Sequence, residues 1–174
     1  IVNSPKAIGN IQISRSITHN NKIYVITSIC ENSFKGNRHL RSITIPEDSE
    51  IVSIGKDSFS DSSIESISIP SSIKELNEGW CNNTSKLNHI YLSPMNENFT
   101  FLNEKIIIGK SEKDIKNFDV LIFACRDIDK VKIPSNIKQI DSFSFSNCEN
   151  LKLIEFEPNS QLFLSCLVKI KIRN

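Results

Sequence analysis

The sequence predicts a repeat solenoid with a parallel β-sheet on one face, short helical turns or loops on the other, and an inserted β-hairpin. Three observations carry this. An apolar residue, two variable positions, an apolar residue, one variable position and a third apolar residue recur six times. Three of the five intervals between the repeats are 23 or 24 residues, and proline follows most of the copies. A fixed period of this size means that each unit buries its apolar edge against copies of itself, so the chain stacks into a quasi-one-dimensional array.

The six copies run Leu40–Ile45 before Pro46, Ile64–Ile69 before Pro70, Leu87–Leu92 with Pro94 beyond, Ile128–Ile133 before Pro134, Leu151–Phe156 with Pro158 beyond, and Leu167–Ile172. Their starts are separated by 24, 23, 41, 23 and 16 residues. Within each copy the fourth and sixth positions share one face by the two-residue alternation of a strand, and the residues between them face the other way. Proline after the strand ends the ladder by removing an N–H and fixes the corner. A second unit lies between strands, in which an aliphatic residue is followed five positions later by an apolar one: Ile29 and Phe34, Ile54 and Phe59, Leu76 and Cys81, Ile140 and Phe145. Polar arcs such as Ser58-Phe59-Ser60-Asp61-Ser62 suit a helical turn or a tight loop.

The 41-residue interval alternates as a hairpin does, with Phe99-Thr100-Phe101-Leu102, a polar turn at Asn103-Glu104, Ile106-Ile107-Ile108, and then Val120 to Cys125. The expected organisation is one domain over 1–174: an irregular N-terminal layer at 1–22, repeats over 23–94, an inserted hairpin or small meander at 95–126, and repeats over 127–174 with the last one truncated. An irregular first layer suits a stack whose terminal apolar layer would otherwise meet water.

Bulk composition excludes several functions. The 174 residues carry 21 basic and 20 acidic side chains, a net charge of +1, so no nucleic acid, anionic membrane or acidic substrate is called for by the total. The longest apolar run, Val120 to Cys125, falls far short of the roughly 20 residues that span a bilayer. The sequence begins without a methionine or a basic leader and ends in repeat-like sequence, which reads as a segment of a longer chain. Five cysteines, Cys30, Cys81, Cys125, Cys148 and Cys166, are widely spaced with no C-x-x-C pair, and they leave the redox compartment open.

The stretch from Ile128 to Leu151, reading Ile-Asp-Lys-Val-Lys-Ile-Pro-Ser-Asn-Ile-Lys-Gln-Ile-Asp-Ser-Phe-Ser-Phe-Ser-Asn-Cys-Glu-Asn-Leu, resembles the BspA-type leucine-rich repeat of surface proteins from bacteria and some parasitic protists. The family pattern is close to L-x-x-I-x-I-P-x-x-V-x-x-I-G-x-x-A-F-x-x-C-x-x-L, and the match covers most of the chain. Asp141 stands at the glycine, Ser144 at the alanine, and Cys81 where phenylalanine is expected. The resemblance implies a leucine-rich-repeat solenoid acting as a non-catalytic surface or secreted module that binds a protein or glycan on a host or neighbouring cell. An intracellular leucine-rich-repeat scaffold in the cytoplasm is the alternative. A hydrolase hidden in 95–126 is a distant third, with no motif to recommend it.

Candidate chemistry is sparse. Gly109-Lys110-Ser111 has the ending of a phosphate-binding loop, but Glu104 stands where that loop needs glycine. Asp57 and Asp61 bracket Phe59, with no glutamate placed to complete a calcium loop. His19, His39 and His89 lack partners at zinc-ligand spacing. Hence no catalytic, metal or cofactor residues are assigned, and burial as small hydrophobes is the favoured reading of the cysteines at repeat positions. The binding candidates are the strand residues that alternate outward onto one concave surface: Ser42, Thr44, Ser66, Ser68, His89, Tyr91, Lys130, Lys132, Leu153, Glu155, Lys169 and Lys171. Simple solvated sheet residues are the competing reading of each. The four lysines would favour an acidic patch or sulfated glycan, and His89 with Tyr91 offers an amphipathic centre. Asn82, Asn83 and Asn98 each head a glycan-acceptor triplet.

Overall fold

The computed structural model describes residues 7–112 and 116–162. They divide into two compact units, Ile1–Glu97 and Asn98–Asn174. The Leu167–Ile172 copy, Cys166, Lys169 and Lys171 lie outside the described residues.

In the first unit the chain forms β1 (Gly9–Gln12), β2 (Ser16–His19), β3 (Lys22–Val25), β4 (Ser28–Ile29), β5 (Leu40–Thr44), β6 (Ser53–Ile54), β7 (Ser66–Ile69), β8 (Glu75–Leu76) and β9 (His89–Leu92). Two parallel sheets result, one ordered β1-β5-β7-β9 and a narrower one ordered β4-β6-β8, together with the antiparallel pair β2-β3. The repeat pattern makes the first sheet, and the aliphatic that opens each arc makes the second. Leu40, Ile43 and Ile45 are 2% exposed or less, as are Ile64, Ile67, Ile69 and Leu87. Ile29, Ile51, Ile54 and Ile73 fill the space opposite them, all fully buried. Phe34 and Phe59, one repeat apart, stack with ring centroids 5.2 Å apart and planes 2° from parallel, which continues the apolar column through the arcs.

The arcs are turns, and no helix occurs among the described residues. The hydrogen bonds give the reason. Along 33–37 the N–H groups alternate: Ser33, Lys35 and Asn37 donate three residues back within the arc, while Phe34 and Gly36 donate to Ser58 and Ser60 of the next arc at 2.7 and 2.8 Å. Half of the donors that an α-helix would need are thus committed to the neighbouring repeat. This geometry requires left-handed residues four apart, and they are Asn32 and Gly36, Asp57 and Asp61, Gly79 and Asn83, and Phe143 and Asn147. Asn, Asp and Gly tolerate that conformation, which accounts for their placement in the arcs.

Buried hydroxyls complete the turns. Ser33 Oγ donates to the Cys30 carbonyl at 2.8 Å, and Thr84 Oγ1 donates to the Cys81 carbonyl at 2.6 Å. At the proline corners the Glu47 carboxylate accepts the Ser71 N–H at 3.2 Å and the Ser93 hydroxyl at 2.8 Å, linking three successive repeats. Those hydrogen bonds, from Ser71 and then Ser93, hold the Glu47 carboxyl below the usual carboxylate range.

The second unit contains β10 (Phe99–Asn103), β11 (Ile106–Gly109), β12 (Val120–Ala124), β13 (Lys130–Ile133), β14 (Gln139–Ile140) and β15 (Leu153–Phe156). The expected hairpin is β10-β11, antiparallel with Phe101 opposite Ile107, and β12 extends it into a meander. β12 then pairs in parallel with β14, Leu121 opposite Ile140, so within this unit the meander pairs with the arc-opening strand of the next repeat. β13 and β15 pair in parallel from Lys130-Leu153 to Ile133-Phe156. Ile106, Leu121, Ile128, Ile133, Ile137 and Ile140 form the centre of the core.

Candidate functional site

Because parallel strands stack in register, residues at matching positions form rows about 4.8 Å apart on one face. In the first unit, one row runs Asn10, Ser42, Ser66, His89, as each is paired with the next. A second row brings together Gln12 with Thr44, and Ser68 with Tyr91. The opposite side of the same strands is the sealed aliphatic core, so this face alone is left to solvent. His89 and Tyr91 are both exposed, Tyr91 at 68%. Thr44 is exposed, and Ser42, Ser66 and Ser68 are half-buried.

Two of these hydroxyls already have partners. Ser42 Oγ donates to Asn10 Oδ1 at 2.8 Å, which ties the second strand of the sheet to the first. Ser68 Oγ accepts the Ile45 N–H at 2.5 Å and also lies 2.9 Å from the Ile45 carbonyl. The β5-β7 ladder has ended at Ile43-Ile67, so the Ser68 hydroxyl takes over where the backbone pairing stops. Ser68 therefore stitches the sheet as well as lining its face. Asn10 and Gln12 belong to the face and were not among the residues picked from sequence, although the Ile11-x-Ile13 alternation places them there.

In the second unit Lys130 lies opposite Leu153, and Lys132 opposite Glu155. All four are exposed, Leu153 at 47%. Lys132 Nζ also sits 3.5 Å from Glu157 Oε1. Among the described residues these two lysines thus face two glutamates, and the local charge is balanced rather than basic.

The acceptor asparagines differ in setting. Asn83 is exposed and left-handed, and its side-chain amide donates to Asp61 Oδ1 at 2.6 Å. Asn82 and Asn98 are half-buried.

Cys125 and Cys148 occupy equivalent places in successive turns, each accepting at its carbonyl the N–H three residues on, from Ile128 and Leu151. Burial pushes the Cys125 thiol up to about 11 and raises that of Cys148. Both stay protonated at neutral pH, the opposite of an activated nucleophile. Among the described residues, no group of three or more His, Cys, Asp and Glu side chains could hold a metal ion. No helix among them is long and apolar enough to cross a membrane.

Stacked parallel strands, inward aliphatics and hydrogen-bonded arcs define a leucine-rich-repeat solenoid. The BspA type Leucine rich repeat region matches residues 8–119 and 96–169 in six copies, and the chain belongs to that family. Among solved structures, the pneumococcal vaccine antigen PcpA superposes with a TM-score of 0.52 at 16% identity, over 89% of this chain and 56% of that one. A leucine-rich cell surface protein from Faecalibacterium prausnitzii A2-165 gives a TM-score of 0.45 at 14% identity, over 93% of this chain and 75% of that one. A leucine-rich repeat protein from Eubacterium ventriosum gives 0.37 at 16% identity, over 88% and 60%. The chain thus spans little more than half the length of PcpA. Comparison with curated proteins found no match.

Proposed function

We propose that the chain is a non-catalytic module of a surface or secreted protein that binds a protein or glycan on a host or neighbouring cell. The binding element is the exposed sheet face of the first unit, with Tyr91 and His89 at one side of it. The observation that carries this reading is the contrast across a single sheet. One side is an aliphatic core exposed by 2% or less at Leu40, Ile43, Ile64 and Ile67. The other presents polar rows with a tyrosine 68% exposed, although an exposed aromatic ring is of no use to the core. Tyrosine supplies a large, amphipathic contact surface at low entropic cost, for protein and sugar alike. Family membership supports a binding role, and the likeness to PcpA, a pneumococcal vaccine antigen, supports a chain that meets a host. The protonated thiols of Cys125, which is buried, and Cys148, which is half-buried, speak against either acting as a nucleophile. Lys130, Lys132, Leu153 and Glu155 form a lesser face of mixed charge, suited to a polar protein surface. Asn83, on an exposed turn, is the favoured glycan acceptor.

The test is a binding screen of the chain against host matrix proteins and glycans, repeated with the His89→Ala/Tyr91→Ala variant. Loss of binding by about tenfold or more, with unchanged thermal unfolding, is expected from removal of an aromatic anchor. Undiminished binding by the variant would remove this face from the account.

A further inference from the structure

The β2-β3 hairpin forms a two-stranded sheet of its own, apart from the repeat sheets. Its strands pair antiparallel, His19 opposite Lys22 and Ile17 opposite Tyr24. The turn is Asn20-Asn21, both with positive φ, the two-residue type that matches strand twist. All four residues of β3 are exposed. Ile23 is 74% exposed, Ile17 54%, Tyr24 48% and Val25 45%, and they are distributed over both sides of the ribbon. Ile23 and Val25 share one side with Thr18 and Ser16, and Tyr24 and Ile17 share the other with Lys22 and His19.

The backbone of β3 is equally open. The Ile26 N–H donates to the Arg15 carbonyl at 2.9 Å, so in the alternating antiparallel pattern Lys22, Tyr24 and Ile26 direct their backbone groups at β2, and Ile23 and Val25 direct theirs away. No strand among the described residues pairs with that outer edge. Soluble proteins blunt such edges with short strands, charge, proline or a bulge; β3 is four residues long with one lysine at its start, and has neither proline nor bulge. Charge defines what the edge suits: Lys22 stands exposed at the head of β3, the first 30 residues contain no Asp or Glu, and Arg15, just before β2, is already paired with Glu50 at 2.7 Å.

We propose that the outer edge of β3 captures an extended segment of a partner protein in which acidic residues alternate with apolar ones. The incoming strand pairs with the Ile23 and Val25 backbone groups. Its apolar residues lie beside the Ile23 and Val25 side chains, and its acidic residues lie on the side of Lys22. Backbone hydrogen bonds supply affinity, and the alternation supplies specificity.

The experiment uses the whole chain and a short capped peptide alternating valine with glutamate, with a valine-lysine peptide as the counterpart. Saturable binding of the glutamate peptide is expected, with slowed amide exchange at Ile23 and Val25, and at least about tenfold weaker binding of the lysine peptide. Val25→Pro removes only an outward N–H, a change that edge strands tolerate, and is expected to weaken binding by about tenfold or more. Lys22→Glu leaves the backbone intact and is expected to reverse the preference between the two peptides. Failure of the glutamate peptide to bind would overturn the proposal, as would equal binding of both peptides or insensitivity to both substitutions. Concentration-dependent dimerisation lost in Val25→Pro would also overturn it, by assigning the edge to a second copy.

Discussion

Gly55 shows how tightly one position can be specified. A Cβ there would lie 2.6 Å from the Glu31 amide nitrogen and 2.7 Å from the Cys30 carbonyl carbon, backbone atoms that cannot swing aside. Its own N–H donates to the Ile29 carbonyl at 2.8 Å. Gly55→Ala is expected to destabilise the chain by about 1–3 kcal/mol, the range for overpacking, as measured by chemical denaturation. Phe143 is the converse case. It holds φ +69° at the arc position that Asn32, Asp57 and Gly79 fill in other repeats, and its ring is 46% exposed. Phe143→Asn is therefore expected to stabilise by about 1 kcal/mol through relief of the left-handed penalty, visible as a raised denaturation midpoint. Thr84→Val keeps the shape but leaves the buried Cys81 carbonyl without its 2.6 Å donor, at an expected cost of about 1 kcal/mol.

At the scale of elements, the turn between β11 and β12 is held by Asp119, which is 2% exposed. Burial pushes its carboxyl up, and the Ser111 N–H and hydroxyl, both at 2.9 Å, with Lys138 at 3.4 Å, outweigh burial and hold it below the usual carboxylate range. A carboxyl depressed by folding contributes stability that is full above its unfolded value, about 4, and is lost as pH falls through the folded one. Asp119→Asn is expected to lower stability at pH 7 and to narrow its gap from the wild type progressively below about pH 4; a gap independent of pH would contradict this role. The elements also show which features sequence could reveal. The main strands were legible because inward aliphatics recur at fixed offsets, and Ile54 or Ile140 could be placed on an arc-opening segment by the same spacing. The arcs were ambiguous because a polar run such as Ser58 to Ser62 is compatible with helix or turn. The choice depends on whether Phe59 N–H bonds within its own arc or to Trp80 of the next, which is a tertiary matter. The β2-β3 hairpin was missed, since Asn20-Asn21 is a weaker turn signal than Asn-Gly and its flanks lack a buried partner. Ser68 was picked for its outward position, which alternation predicts, while its bond to Ile45 follows from the end of a ladder that no local pattern encodes.

At the scale of the molecule, the proposed function separates stability from recognition by side of sheet. Substitutions on the exposed rows, such as Tyr91→Ala, are expected to change binding with little effect on unfolding, whereas Ile67→Ala is expected to cost about 2–5 kcal/mol. The measurement that bears most directly on the central claim is antibody labelling of this segment on intact source cells, with permeabilised cells as the reference for total protein. Labelling of intact cells is the predicted result, as befits a surface module. Labelling only after permeabilisation would contradict it and leave the intracellular scaffold as the reading.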